Sequence, residues 1–151
     1  MKKIIAAALC ATAFVSVGAH ASAGGTTDVQ LKTGYNAIGN TTTNINLARQ
    51  FNIQAIANPP RSGFIKNNFE ATLSANVIAG LSDDAANNRM GVVAGSNKGY
   101  TVFTGSSVGG SVAQCGPQAA KSDTNLAADK VVTATLNLAN ANGCGITATT
   151  P

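Results

Sequence analysis

Apolar residues fall on alternate positions between 45 and 53. Ile45, Leu47, Phe51 and Ile53 are interleaved with Asn46, Gln50, Asn52 and Gln54, and Arg49 is the one misfit on the apolar side. A period of two marks a strand with one dry face and one wet face. Asn58-Pro59-Pro60 ends the run, because proline cannot donate to a ladder and restricts the residue before it. A second alternation runs Phe69, Ala71, Leu73, Ala75, Val77, and a third Val132, Ala134, Leu136, Leu138. Shorter β signals cover 29–35, 91–94, 100–104 and 108–114. Phe51, Phe69 and Phe103 lie on alternating faces and are expected in the core.

Turn chemistry separates these runs. Gly95-Ser96-Asn97-Lys98-Gly99 lies between Val92-Val93 and Val102-Phe103, which predicts a hairpin with a longer loop. Two places carry helix signals. Ser82-Asp83-Asp84 supplies an N-cap and acids for a first turn, with Arg89 near the end and Gly91 beyond it. Residues 122–128 form the other candidate. Many short strands with frequent turns predict an all-β fold: a single-domain antiparallel sandwich or small barrel with one or two short helical turns.

The first 23 residues differ in kind. Lys2 and Lys3 precede an apolar stretch from Ile4 to Val17, and Ala19-His20-Ala21 and Ala21-Ser22-Ala23 place small residues where a signal peptidase reads. The stretch is shorter than the roughly 20 apolar residues a bilayer span needs. The expectation is a signal peptide at 1–23 and one secreted β-rich domain at 24–151, with no membrane span after cleavage. The destination is the periplasm, the cell surface or the exterior.

Export changes the chemistry on offer. The chain has one histidine, His20, and it lies in the signal segment. Histidine is the commonest acid/base residue near neutral pH and the commonest metal ligand. Removing Lys2 and Lys3 leaves eight basic residues against six acidic ones, a net charge of +2. The basic residues are scattered, which argues against nucleic acid as a partner. Cys115 and Cys144 remain after cleavage, and an even pair in an oxidising compartment reads as a disulfide. Glu70 lies on the polar face of an alternating strand, where a carboxylate is normally solvated. Asp83, Asp84 and Asn87 are the only dense oxygen cluster, a weak calcium candidate that lacks the EF-hand spacing. No cofactor is expected.

The pattern therefore points to a non-enzymatic structural or adhesive protein, such as a fimbrial or extracellular-matrix subunit assembling through strand edges. Its partners would be further copies, other surface proteins or a glycan. Val29, Leu31, Thr33 and Tyr35 alternate after a Gly24–Thr27 leader and form the candidate assembly strand. In that respect the segment resembles the donated strand of chaperone–usher pilins. The chain lacks their early cysteine and their aromatic-rich terminal strand, so no family is assigned. The second reading is a monomeric binding module that grips a small ligand, glycan or protein partner in the loops 95–100 and 106–116.

Overall fold

The computed structural model describes residues 26–39, 45–55, 63–123 and 125–146. The segment 1–23 expected to be a signal peptide, Gly24 and Gly25, and Asn58-Pro59-Pro60 lie outside the described residues. The fold is all-β, with eight strands among the described residues: β1 (Thr26–Gln30), β2 (Gly34–Ile38), β3 (Arg49–Gln54), β4 (Phe69–Leu73), β5 (Val77–Asp84), β6 (Arg89–Ser96), β7 (Thr101–Ser106) and β8 (Ala113–Gln114). One helical turn, α1 (Leu126–Asp129), and one 3-10 turn (Thr133–Thr135) follow. The strands form two sheets, ordered β1-β3-β4 and β2-β5-β6-β7-β8. Every pair is antiparallel except β1 with β3, which run parallel. The parallel pair follows from the chain path: after β1 it crosses to the other sheet as β2, then returns as β3.

The two sheets pack face to face around Leu31, Ile38, Phe51, Ile53, Ala79 and Leu81. Phe51 and Ile53 are buried while Gln50, Asn52 and Gln54 are not, as the alternation predicts. Arg49 is also buried. Its guanidinium donates to the carbonyl oxygens of Gly39 (2.5 Å) and Val77, so it ties β3 to the end of β2 and the start of β5. A buried charge is tolerable only with such partners.

The five-stranded sheet is covered on its other face as well. There Ile78, Val93 and Val102 pack against Leu126 and Val131 of the C-terminal segment. Tyr35 joins this layer and donates its hydroxyl to the Val131 carbonyl at 2.6 Å. Burial pushes the Tyr35 phenol above its usual pKa, so it remains a donor. Its ring lies across Gly80 on the neighbouring strand. A Cβ at Gly80 would fall 2.0 Å from the Tyr35 hydroxyl oxygen, so only glycine fits there. The Cys115–Cys144 disulfide is present, with Cα atoms 5.4 Å apart, and it staples the C-terminal layer to the exit of β8.

Four local expectations change. The predicted strand through Val77 breaks at Ser74, Ala75 and Asn76, where Asn76 takes a φ of 62° and the chain passes to the other sheet. The helix predicted from Ser82 is instead the end of β5 and a hairpin loop into β6. Asp84 Oδ1 does accept from Ala86 N and Asn87 N, as an N-cap would. Asn88, with φ 52°, then turns the chain back after a single turn. The third alternation is a 3-10 turn plus one bridge, Leu136 to Cys144, because no neighbouring strand offers it a ladder. The helical candidate at 122–128 contracts to the single turn of α1.

Candidate binding cleft and strand edges

Three strands cannot cover five. The small sheet packs over the part of the large sheet that holds Ile38, Ala79 and Leu81, and its shelter fades toward β7. The register places Ala94 opposite Phe103 and Val92 opposite Gly105. Directly opposed residues share a face. Met90, Val92, Ala94 and Phe103 therefore form an apolar strip on the sandwich side of the sheet, and Phe103 is 46% exposed at its margin. Phe103 was expected in the core, and so was Phe69, which is 39% exposed. Both side chains have the inward parity, but they stand where the opposing layer runs out.

The strip is a cleft and not a flat patch, for a local reason. Gly105 has no side chain and lies between larger neighbours on its strand and on β6. The loop after β7 folds back over it and places Val112 above the gap. A Cβ on Gly105 would lie 3.1 Å from Val112 Cγ2. The loop is shaped by Ser106, whose hydroxyl accepts from Val108 N at 3.2 Å, and by Gly109 and Gly110, which have φ of 126° and 82°. The resulting cavity is about 350 Å³ and its lining carries no charged residue. Ser107 stands at one end, where its Oγ accepts from Met90 N at 2.9 Å.

A second depression, of about 490 Å³, lies between the β5–β6 hairpin and the C-terminal layer. Asp84, Asn87 and Arg89 form one wall, and Leu136, Asn137 and Leu138 stand across from them. The Asp84 carboxylate is consumed by its own turn. It accepts from Asn87 Nδ2 at 2.6 Å and from the Asn87 and Ala86 amides. The Asn87 hydrogen bonds, with a smaller contribution from the Arg89 charge, hold its pKa below the usual carboxylate range.

Of the calcium candidates, Asp84 and Asn87 bond to each other, and Asp83 is kept apart from them. Asp83 is fully buried on the sandwich side and accepts from Phe64 N at 2.7 Å. Asp84 faces the opposite way on the same strand. Among the described residues no group of three or more His, Cys, Asp or Glu could hold a metal ion. Glu70 is exposed on the small sheet, where Gln50 Nε2 donates to it at 3.2 Å, whereas Asp84 belongs to the large sheet.

The candidate assembly strand is divided between the sheets. Val29 belongs to β1, Leu31 is buried in the sandwich core, Thr33 lies in the crossover bend, and Tyr35 belongs to β2. The bend is clamped by the buried Asn36 amide. Its Oδ1 accepts from Lys32 N at 2.8 Å, and its Nδ2 donates to the carbonyls of Lys32 and Gly34. Beyond the clamp, β1 is an edge strand. Thr26, Thr27, Asp28 and Gln30 are exposed, and only Val29 is partly buried against the core.

The two loops proposed for ligand contact have different roles. The loop after β6 is engaged internally: Asn97 Oδ1 accepts from Leu126 N, and Gly99 O accepts from Gln118 Nε2. The loop after β7 instead frames the cleft. Val112 lies within the 106–116 loop expected to make contacts, whereas Met90 and Gly105 are additional to it. A glycine within a β run, followed by an apolar residue in a Gly/Ser loop, was the available signal.

Comparison with known proteins is negative throughout. No protein-family model, curated protein or solved structure matches this chain. Among the described residues no helix is long and apolar enough to cross a membrane.

Proposed function

We propose that this chain is an exported, non-enzymatic subunit that works by contact and assembles through strand edges. The observation that carries the reading is β1. Among the described residues it pairs along one side only, buries little, and is joined to the rest of the fold by a clamped bend at Leu31–Asn36. An edge strand presents unpaired amides and carbonyls as a template for another chain. If β1 leaves β3, the vacated edge accepts β1 from a second copy, with the same register and the same Val29 contact. The anchor at Leu31 keeps the donor attached to its own fold. This narrows the assembly strand from 29–35 to 26–30.

The test is size-exclusion chromatography with negative-stain microscopy of the protein processed after Ala23. Concentration-dependent oligomers or filaments support the reading. Val29→Asp places a charge at the only partly buried β1 side chain and is expected to abolish them while leaving a folded monomer. A monomer under all conditions refutes the proposal.

A binding module is the second reading, favoured by one observation. The 350 Å³ cleft falls in the range of ligand-sized sites, about 300–1,000 Å³.

A further inference from the structure

We propose that the bend at residues 31–34 is a lock on strand exchange: Gly34 and Asn36 hold β1 over its own β3, and their release lengthens the donor and drives the chain into exchanged oligomers. The inference rests on the exchange reading and adds what controls the step.

The sequence does not demand a bend here. Val29, Leu31, Thr33 and Tyr35 alternate without interruption, which suits one continuous strand. The structure divides the run between two sheets. Two residues impose the division. Gly34 takes a φ of 89°, a conformation that other L-residues avoid. Asn36 is buried, and its amide spans the bend. Its Oδ1 accepts from Lys32 N at 2.8 Å, and its Nδ2 donates to the carbonyls of Lys32 at 2.8 Å and Gly34 at 2.9 Å. Two of these bonds reach back four residues. An extended chain would hold those residues about 13 Å apart, so the bonds exist only while the chain is bent.

The lock fixes how much chain can leave. With the bend held, Leu31 stays seated in the core and the donor is β1 alone. With the bend straightened, residues 31–34 join the donor, which gains about 13 Å of reach. Leu31 then leaves its own core and enters the same site in a second copy, so apolar burial is conserved. The exchanged and closed forms share their contacts and differ at the hinge, which is where their balance is set. Gly34 is a clean handle on it. A Cβ there would meet nothing within 4 Å, so alanine brings no clash and acts only through the backbone. It disfavours the bent φ and suits the extended one.

The experiment compares the processed protein with its Gly34→Ala, Asn36→Ala and Gly109→Ala variants, each carrying Asp28→Cys and Asn52→Cys as a reporter. Asp28 and Asn52 are register partners on β1 and β3, and Asn52 Nδ2 donates to Asp28 Oδ1 at 3.1 Å. After oxidation a closed chain bridges within itself, and an exchanged one bridges to another copy. A non-reducing gel separates the two. Gly34→Ala should raise the ratio of exchanged to closed chains about tenfold or more. Asn36→Ala should raise it as well. Gly109 has a φ of 126° and open space around its Cβ position, but lies in the loop after β7. Gly109→Ala should therefore leave the ratio unchanged. Slow amide exchange at Ile78 and Val93 shows that each variant is folded; if Gly34→Ala is not, Asn36→Ala decides by the same ratio.

An unchanged ratio in a folded Gly34→Ala overturns the lock, and bridging between copies of the reporter protein alone then leaves exchange by β1 standing. An equal rise in Gly109→Ala also overturns it, because general loosening would explain both. Oligomers of Gly34→Ala that carry only bridges within each chain refute it likewise. If no variant bridges between copies at any concentration, the lock and the exchange reading fall together. Bridging between copies that is confined to Gly34→Ala and Asn36→Ala supports the lock and shows the unaltered chain to be held closed.

Discussion

Replacing both Cys115 and Cys144 by alanine should remove about 3.6 kcal/mol of stability. The disulfide closes a loop with a sequence separation of 29 residues. In the chain-entropy model such a loop restricts the unfolded state by about 12 cal/mol/K, which gives about 3.6 kcal/mol at 25 °C. The loop is almost the whole C-terminal layer, including Leu126 and Val131, which bury the second face of the five-stranded sheet. The effect is therefore on the docking of one layer, and not on a dangling tail. Cys115 is buried, so alanine leaves a small void but introduces no unsatisfied hydroxyl. The assay is urea unfolding followed by far-UV circular dichroism and by tyrosine fluorescence. With a urea m-value of about 1–3 kcal/mol/M, the midpoint should fall by about 1–4 M. The m-value should rise, because the uncrosslinked unfolded chain exposes more surface. A loss below about 1 kcal/mol, with the two probes still coincident, would refute the reasoning. Packing alone would then hold the layer.

Two further substitutions probe local chemistry. Asn87→Ala should raise the Asp84 pKa toward the ordinary carboxylate value, as read by NMR titration. A depressed folded pKa contributes stability above the unfolded value and loses it as pH falls through the folded one. The variant should therefore show a weaker acid dependence of stability below about pH 4; an unchanged Asp84 titration would refute the Asn87 assignment. Gly80→Ala should force the Tyr35 ring off its seat, at about 1–3 kcal/mol for overpacking and about 1 kcal/mol for the lost bond to Val131. In the Tyr35→Ala background the same change should cost much less, and additive losses in a double-mutant cycle would contradict the contact.

The parts of the fold legible in sequence were those with one wet face. β3 alternates because the small sheet has solvent on its outer side, so Phe51 and Ile53 separate cleanly from Asn52 and Gln54. The β6–β7 hairpin was legible because its loop chemistry is local. β5 was not, because both of its faces are covered. Ile78, Ala79, Gly80 and Leu81 are all buried, and a strand buried on two sides loses its period. The Asp84 turn misled for a related reason: a side chain that accepts from the next two amides is common to an N-cap and to a hairpin loop. Only the backbone at Asn88 separates them. Arg49 stands out as a misfit on an apolar face, but its carbonyl partners are Gly39, just after β2, and Val77 of β5, and no local pattern reveals them. The cleft was hidden the same way. Phe103 alternates as a core residue should, and its exposure depends on how far a different sheet reaches.

Amide hydrogen exchange tests the detachable strand most directly. β1 should open locally, so the amides of Asp28, Val29 and Gln30 that are protected by β3 should exchange far faster than those of Ile78 or Val93, at an opening free energy well below that of global unfolding. The amides of β2 that pair with β5, on the far side of the Asn36 clamp, should stay protected with the core. If β1 exchanges only at the rate of global unfolding, the strand is an integral part of the sandwich and assembly by its exchange is wrong.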